Sequence, residues 1–335
     1  MIALVLLAWA TATSASGYSW DLPRGISPPH VPADNPMSTA KVALGRQLFY
    51  DADLSIDGTI SCATCHEQQH AFTDGNTTHP GVGGRPGLRN VMGLANVAYF
   101  YPLTWADPDL HSLEVQAVMP MTNRHPIEMG DHGQMERIVD RLRRDPCYRQ
   151  MFAVAFPDEP ISATNIARAI ASFERTLLSF NSPYDRYLRG DTRAISPLGK
   201  TGAQLFFGKA GCSACHSGFN FTDLAYHNVG TGDRDDEGVE MTTHRAVDKG
   251  QFRTPSLRNV ALTSPYLHSG KAKTLAAAII DHFRGGFGSV SLDHPPALSH
   301  SEVVRLVAFL KSLSDHSFIT NPAFSLPRTA CGKPF

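Results

Sequence analysis

The chain has 335 residues, of which 42% are hydrophobic and 18% charged, and its formal net charge is −1 at pH 7. This charge balance excludes the basic surface that nucleic-acid binding requires, and the length predicts two domains, each with its own core. Beyond the first residues no apolar run approaches the ~18 residues of a membrane-spanning helix, so we expect no membrane span in the mature chain.

The N-terminus carries an apolar segment, residues 2–10, followed by the small residues 13–17. The apolar run is too short to cross a bilayer and has no polar face, so an amphipathic helix is excluded. Such a run is typical of a secretory signal peptide, although the usual preceding positive charge is missing. We therefore expect residues 1–17 to be a signal peptide and the mature chain to occupy an oxidising compartment.

A Cys-x-x-Cys-His motif occurs twice, at residues 62–66 and 212–216. This is the attachment signature of a c-type haem, because each thiol can add to a vinyl group of the porphyrin and the adjacent histidine can bind the iron. A zinc site would need a second Cys or His pair nearby, and a thioredoxin-like motif needs no histidine there. We predict two covalent haems, held by Cys62, Cys65, His66, Cys212, Cys215 and His216, and for a bacterial protein this indicates the periplasm.

Short phrases around the first motif recur in the same order around the second. Gly-x-Gln-Leu-Phe occurs at residues 45–49 and 202–206, before the motifs, and Leu-Arg-Asn-Val occurs at residues 88–91 and 257–260, after them. Matches in this order are better explained by duplication than by coincidence. Each half of the chain is therefore predicted to be one cytochrome c-like unit.

Two helices are predicted from apolar patterning and capping. Apolar residues recur at helical spacing between Asn165 and Phe180, which predicts a helix there. Ser299 and Glu302 form a capping box before another apolar stripe, which predicts a second helix.

The predicted fold class is mainly α, with two cytochrome c-like helical domains that each carry one covalent haem. Strand-like alternation is sparse, and Gly/Pro-rich connectors such as residues 81–87 and 285–288 separate the segments. The helical pattern breaks near residues 191–197, which predicts a linker. We place the N-terminal domain at residues 18–195 and the C-terminal domain at residues 196–335.

Cys147 and Cys331 lie outside both haem motifs. An oxidising compartment favours a disulfide between them, which would tie the C-terminal segment to the first domain. The alternative is two unrelated buried thiols. The acidic run at residues 233–237 is typical of a solvated turn.

Together these motifs resemble the bacterial di-haem cytochrome c peroxidase and MauG superfamily over nearly the whole mature chain. The phrases that carry the resemblance, besides the haem motifs, are residues 71–75, 221–223, 227–230, 252–260 and 265–270. The resemblance implies two haems with different tasks. The haem of His66 would meet peroxide on an open face, and the haem of His216 would be six-coordinate and handle electrons.

The resemblance also assigns a distal pocket and a relay residue. Gln116 and Glu128 match the distal glutamine and glutamate, although two residues are inserted between them relative to the family. A carboxylate there can move a proton between the peroxide oxygens; the alternative is a surface glutamate at a helix start. Trp105 matches the tryptophan that the family places between its haems as an electron relay, a role compatible with core packing.

The resemblance places the second ligand of the C-terminal haem at His282. The peroxidases have methionine at this position and MauG has tyrosine, so His216 and His282 would form a bis-histidine haem here. A thioether ligand raises the potential, whereas imidazole favours higher oxidation states. This substitution favours MauG-like chemistry over collection of electrons from a donor.

Five other positions receive expectations from the resemblance. His70 or His79 would block the reactive haem in some peroxidases, which is the less expected alternative here. His268 is expected near a haem propionate. A calcium ion between the domains is expected to bind Asn90 and the carbonyl of Thr254, since that ion prefers oxygen ligands.

Three functions remain. The favoured one is a MauG-like enzyme in which hydrogen peroxide forms a bis-Fe(IV)-type state that oxidises an aromatic residue of a partner protein. In the MbnH-type, methanobactin-associated subgroup this residue is a tryptophan, converted to kynurenine. The alternatives are a periplasmic di-haem cytochrome c peroxidase, which reduces hydrogen peroxide with electrons from a small redox protein, and a non-catalytic electron-transfer cytochrome, against which the distal pocket argues.

Overall fold

The computed structural model describes residues 18–130, 133, 135–231, 235–284, 297–330 and 333–334. This part of the chain is mainly helical, which confirms the predicted fold class. The helices are α1 (Thr39–Phe49), α2 (Cys62–Cys65), α3 (Leu113–Thr122), α4 (Met135–Arg144), α5 (Pro146–Ala155), α6 (Ala163–Glu174), α7 (Pro183–Leu188), α8 (Pro197–Phe207), α9 (Glu240–Thr243), α10 (Leu275–Arg284), α11 (His300–Lys311) and α12 (His316–Ile319). Two-residue strands form two antiparallel pairs, β1 (Tyr226–His227) with β2 (Phe252–Arg253) and β3 (Thr329–Ala330) with β4 (Lys333–Pro334).

The helices of the described ranges are all too short or too polar to span a bilayer. The predicted signal peptide, residues 1–17, and the predicted connector at residues 285–288 lie outside the described residues. The predicted linker at residues 191–197 separates α7 from α8.

Helices α1 and α6 cross very closely in the N-terminal half. A Cβ on Gly45 of α1 would lie 1.8 Å from the carbonyl oxygen of Ala169 on α6, so only glycine permits this crossing. The crossing packs the buried Phe49 edge-on against Phe173, with ring centroids 5.2 Å apart. Phe49 in turn packs against the ring of His66, with ring centroids 6.4 Å apart. The α1–α6 pair therefore supports the first haem motif.

Helices α8 and α11 repeat this arrangement in the C-terminal half. A Cβ on Gly202 of α8 would lie 1.9 Å from the carbonyl oxygen of Arg305 on α11. Gly202 occupies the same place in its repeated phrase as Gly45. Phe206, the last residue of the phrase, packs on Phe309 with centroids 5.0 Å apart. The duplication is therefore visible in the helix packing as well as in the amino-acid sequence.

Each half has its own hydrophobic core. The first core is built from residues 44–177 together with Phe318 and Phe324 of the C-terminal segment. The second is built from residues 184–313. A domain boundary after Ile195, which packs in the second core, stays a prediction.

The C-terminal segment returns to the N-terminal half. The guanidinium of Arg46 donates to the carbonyl oxygen of Ser325 at 2.6 Å. The hydroxyl of Tyr50 donates to the carbonyl oxygen of Phe324 at 2.7 Å. Cys147 of α5 is disulfide-bonded. Cys331, its expected partner, lies outside the described residues, so that pairing stays a prediction.

Helix α6 ends at Glu174, before the end predicted at Phe180. The N–H of Asn96 donates to the carbonyl oxygen of Leu177 at 2.8 Å, and its Oδ1 accepts from the N–H of Ser179 at 2.7 Å. These bonds replace helical ones, and Leu177 reaches the core from a turn. The sequence pattern was right about burial and wrong about the helix end.

Helix α11 begins as predicted. The hydroxyl of Ser299 accepts from the N–H of Glu302 at 3.3 Å, and the Glu302 carboxylate accepts from the N–H of Ser299 at 2.8 Å. This reciprocal pair is the predicted capping box.

The acidic run at residues 233–237 is not a solvated turn at Asp236, which is only 6% exposed. Both carboxylate oxygens of Asp236 accept hydrogen bonds of 2.7 Å from the guanidinium of Arg89. Because Arg89 belongs to the N-terminal half, this bidentate pair joins the two halves.

Candidate functional site

The first haem motif forms the one-turn helix α2, with His66 at its end. The Nδ1–H of His66 donates to the carbonyl oxygen of Phe72 at 2.8 Å, and burial lowers the pKa of the ring. His66 is therefore neutral, with its proton on Nδ1 and a free electron pair on Nε2. This is the state in which histidine binds iron.

The second haem motif uses the same device. The Nδ1–H of His216 donates to the carbonyl oxygen of Phe221 at 3.0 Å. Phe72 and Phe221 both have left-handed backbones, with φ of +64° and +54°, which turn their carbonyls back toward the histidines. Burial lowers the pKa of His216 to about 4, and the nearby His282 contributes to this shift.

His282 lies on α10, and its Nδ1–H donates to the carbonyl oxygen of Ala278 at 2.8 Å. Burial lowers its pKa, so this ring too is neutral and offers Nε2. His216 and His282 line one cavity of about 250 Å³ with Cys212 and Cys215. The structure thus brings together both thiols and both predicted ligands of the second haem, in protonation states that suit iron.

Trp105 lines the same cavity. Its indole N–H donates to the backbone carbonyl of Asn90 at 2.8 Å, and its ring meets His268 edge-on with centroids 6.5 Å apart. His268 stacks on Phe252 at 3.6 Å. Since Asn90 belongs to the N-terminal half and His268 to the C-terminal half, Trp105 lies at the contact between them. Its relay role stays a prediction.

Glu128 follows α3 and is held by its backbone. Its carbonyl oxygen accepts from the N–H of Val82 at 2.8 Å, and the next N–H, of Met129, donates to Pro120 at 2.8 Å. Burial raises the pKa of the Glu128 carboxyl. Burial also raises the pKa of Cys65 to about 12, with Glu128 as a further cause, so this carboxyl lies near the first haem motif.

Gln116 lies on α3 and is half-buried. The same helix carries Glu114, which forms an ion pair of 2.7 Å with the buried Arg175 at the end of α6. This pair fixes α3 against α6, and with it the backbone that carries Gln116. The distal roles of Gln116 and Glu128 stay predictions.

The two histidines considered as blocking residues have partners of their own. His79 Nδ1 lies 2.5 Å from Asp74 Oδ2, and the Asp74 side chain is almost fully buried. His70 Nδ1 lies 3.4 Å from the Glu67 carboxylate. The Asp74 contact ties His79 to its own loop by one ring nitrogen, and a blocking role for either residue stays an untested alternative.

Asn90 and Thr254, the expected calcium ligands, are buried and line the same cavity wall. The Asn90 amide nitrogen donates to the carbonyl of Asn76 at 2.9 Å, and this bond does not use its Oδ1. The Thr254 carbonyl accepts from the Thr222 hydroxyl at 2.6 Å and keeps a second lone pair. The donor set is oxygen, as calcium prefers, and the calcium site stays a proposal.

Cys215, Asp223 and His227 place their ligand atoms within 4.8 Å of one another. His227 Nε2 is 2.8 Å from the Asp223 carboxylate. Cys215 is the second thiol of the haem motif, so the cluster is better read as part of the haem surroundings than as a separate metal site.

Comparison with known proteins places this geometry in a family. The family model described as di-haem cytochrome c peroxidase matches residues 39–193. The chain is 39% identical to the methylamine utilization protein MauG of Methylorubrum extorquens, over 88% of this chain and 84% of that protein. The chain belongs to the di-haem cytochrome c peroxidase and MauG family. It is also 35% identical to the cytochrome c551 peroxidase of Pseudomonas aeruginosa, over 83% of this chain and 80% of that protein.

A solved structure extends the similarity to the whole fold. The crystal structure of a MauG-like protein associated with microbial copper homeostasis matches 93% of this chain and 99% of its own, with a TM-score of 0.88 and 40% identity. As a di-haem peroxidase family member, the chain is a haem-dependent oxidoreductase of the peroxide-using type. The neutral histidines and paired thiols of both motifs fit that cofactor.

The burial of two ionisable residues, Arg253 and Glu174, was not predicted from the sequence. Arg253 lines the cavity and is 2% exposed, and burial lowers its pKa to about 10. Glu174, at the end of α6, is also buried, and burial raises its pKa to about 8. Burial of a charged side chain leaves no signal in a single sequence, and only the position of Glu174 beside Phe173 in the apolar helix could have indicated it.

Proposed function

We propose that this di-haem enzyme is MauG-like and uses hydrogen peroxide to oxidise a tryptophan of a partner protein in the periplasm. The observation that carries the proposal is the pairing of His216 and His282 in one cavity, each neutral and with Nδ1 engaged. A thioether in place of His282 would raise the potential. An imidazole there suits a haem that shares oxidising charge better than one that collects electrons from a donor.

The proposed cofactor arrangement is two covalent haems. Thioether bonds would join the first to Cys62 and Cys65 and the second to Cys212 and Cys215. His66 would be the single protein ligand of the first iron, with His216 and His282 on the second. When bound, the haems would supply the redox chemistry that peroxide oxidation needs.

Glu128 is proposed to move a proton within the distal pocket. Cleavage of peroxide requires a proton to pass from the inner to the outer oxygen, and the half-buried Glu128 carboxyl, whose pKa is raised by desolvation, can carry it as base and then as acid. Gln116 would orient the peroxide by its side-chain amide. Over a full cycle the peroxide takes up two protons and two electrons to give two waters, and the partner's aromatic residue loses the two electrons.

Trp105 is proposed to relay electrons between the haems. Its N–H donates to a backbone carbonyl, that of Asn90. A carbonyl oxygen is too weak a base to take the indole proton, so an electron can leave and return without proton transfer. This supports reversible sharing of charge across the two halves.

The MbnH-type subgroup is the proposed place within the family, with kynurenine as the product on the partner's tryptophan. This product requires the loss of four electrons, so it takes two turnovers with two molecules of peroxide, and the indole carbon that is lost leaves as formate. Support comes from the similarity in sequence and fold to the MauG-like protein associated with microbial copper homeostasis. Calcium held by Asn90 and Thr254 belongs to the same proposal.

Peroxide added to the ferric protein without prior reduction tests the function. We expect one high-spin and one low-spin signal by electron paramagnetic resonance, and then a long-lived oxidised spectrum. Mass spectrometry of a co-expressed neighbouring protein should show a tryptophan whose mass changes only when this enzyme is active. A reaction that needs prior reduction and a small donor protein would instead support the peroxidase alternative, and two low-spin signals would favour the electron-transfer cytochrome.

A further inference from the structure

Arg253 is a buried cation without a protein counter-ion. It is 2% exposed, and its guanidinium donates to the backbone carbonyls of Thr104 at 3.2 Å and Leu103 at 3.1 Å. Nη1 has no hydrogen-bond partner among the described residues. The group also lies 5.3 Å from the ring of Phe100, and within the described ranges no carboxylate forms an ion pair with it.

The other two buried arginines among the described residues, Arg175 and Arg258, are paired. Arg175 lies 2.7 Å from the Glu114 carboxylate. Arg258 makes two hydrogen bonds, of 2.9 and 3.0 Å, to Asp185. Removing a guanidinium from water is strongly unfavourable unless an opposite charge compensates. The unmatched charge of Arg253 therefore indicates an anion other than the side chains of the described residues.

The position of Arg253 indicates which anion that is. Arg253 and Arg258 are the two arginines among the described residues that line the cavity of His216 and His282. Arg258 is neutralised by Asp185, so Arg253 is the arginine of this cavity whose positive charge has no counter-ion among the described residues. A haem brings two propionate carboxylates into the site that binds it, and a carboxylate is the group that an arginine fork matches best.

We propose that Arg253 forms an ion pair with a propionate of the haem ligated by His216 and His282. The pair would hold that haem in register and raise its reduction potential, because a nearby positive charge favours the ferrous over the ferric iron. The inference rests on the proposed ligation of the second haem. It does not depend on the partner protein or on peroxide.

The test is Arg253→Gln in the purified di-haem protein, with Arg253→Lys as the matched control that keeps the charge. Redox titration should show the low-spin haem of the glutamine variant harder to reduce by about tenfold in its equilibrium constant, equal to about 59 mV for one electron. The high-spin haem should change less, and lysine should restore most of the difference. Resonance Raman should show a shifted propionate bending band in the glutamine variant.

The outcomes separate this inference from the proposed function. If the wild-type protein shows no low-spin haem, the proposed ligation fails before any variant is made. If the wild-type protein shows it, and both variants keep its potential and propionate band, the ion pair is overturned. Where Arg253→Gln fails to load haem, Arg253→Lys decides: wild-type loading supports a charge requirement, and failure of both variants overturns it in favour of a purely structural role.

Discussion

His282 lies close enough to His216 to help lower its pKa, and each ring gives its Nδ1 proton to a backbone carbonyl. Two neutral imidazoles with free Nε2 atoms in one cavity form a ready pair of iron ligands. We expect His282→Met to keep the second haem six-coordinate but to make it easier to reduce, by more than about tenfold in the equilibrium constant, because a thioether favours ferrous iron. Spectroelectrochemical titration of the low-spin band measures this.

His300→Ala is the matched control, because His300 is an exposed histidine at the start of α11. It should leave the low-spin signal and its potential unchanged. His282→Ala should turn the second haem high-spin. If His282→Ala stays low-spin, another residue is the sixth ligand.

Glu128→Gln should slow the reaction with peroxide by about 10²- to 10⁴-fold, the usual contribution of a positioned acid or base. The haem spectra should stay as in the wild type, since Glu128 is not an iron ligand. Stopped-flow mixing of the ferric protein with peroxide measures the rate. Glu136→Gln, an exposed position on α4, is the control, and equal rates for the two variants would contradict the assignment.

The Glu128 carboxyl also predicts how the rate of the reaction with peroxide depends on pH: the rate should fall on the acid side, which gives its pH profile an acid limb. Burial raises the pKa of Glu128, so its carboxylate form, the base, is lost at a higher pH than for an ordinary glutamate. The wild-type rate should fall as the pH drops through that raised value, and the limb should vanish in Glu128→Gln. A limb that persists in the variant would belong to another group.

Much of this site could be predicted from the sequence, because its parts sit in contiguous motifs. The thiols, His66 and His216 follow from one short pattern, and His282 follows from its place on a recognisable helix. The structure adds what no local pattern holds. The carbonyls of Phe72 and Phe221 reach the histidines through left-handed backbones. Because neither residue is glycine, the sequence does not predict this backbone conformation.

Long-range pairing explains the errors. Asn96 ends α6 from a position far away in the chain, and Arg89 neutralises Asp236 from the other half, so a reading of neighbouring residues misses both. The unpaired charge of Arg253 is hidden for the same reason. Helical periodicity reports burial reliably, but partners in space decide where a helix stops and which charges are matched.

Trp105→Phe should leave both haem spectra intact and remove the long-lived oxidised state after peroxide, since phenylalanine is too hard to oxidise to act as a relay. Decay of that state, followed by absorption after mixing, should be at least tenfold faster. Trp20→Phe is the control, because Trp20 packs on Tyr18 in the N-terminal segment. An unchanged lifetime in Trp105→Phe would contradict the relay.

Glu174 predicts a pH-dependent stability. Its pKa is about 8 in the folded chain and ordinarily 4.5, so the folded state binds the proton more tightly. The contribution of Glu174 to the free energy of unfolding is therefore full below about pH 4.5 and is lost as the pH rises to about 8. Glu174→Gln should gain stability relative to the wild type over this window, by a few kcal/mol at about 1.4 kcal/mol for each pKa unit.

Denaturant unfolding of both proteins at pH 5 and pH 8.5 measures the difference, since other titrating groups are common to both. Glu136→Gln should show no such change. A constant gap between Glu174→Gln and wild type at the two pH values would mean that this carboxyl ionises normally.

Gly45 and Gly202 predict that substitution by alanine destabilises each half of the chain in the same way. A methyl group at either position would overlap a carbonyl oxygen of the crossing helix, at 1.8 and 1.9 Å, and forcing the helices apart costs about 1–3 kcal/mol or more. Gly45→Ala should also disturb the first haem, because the α1–α6 crossing sets Phe49 against His66, and Gly202→Ala should disturb the second. Gly133→Ala is the control, since open space surrounds that position. Thermal unfolding followed separately in the high-spin and low-spin bands would distinguish the halves: loss of both bands together in each variant would show that the two crossings do not act on their own haems.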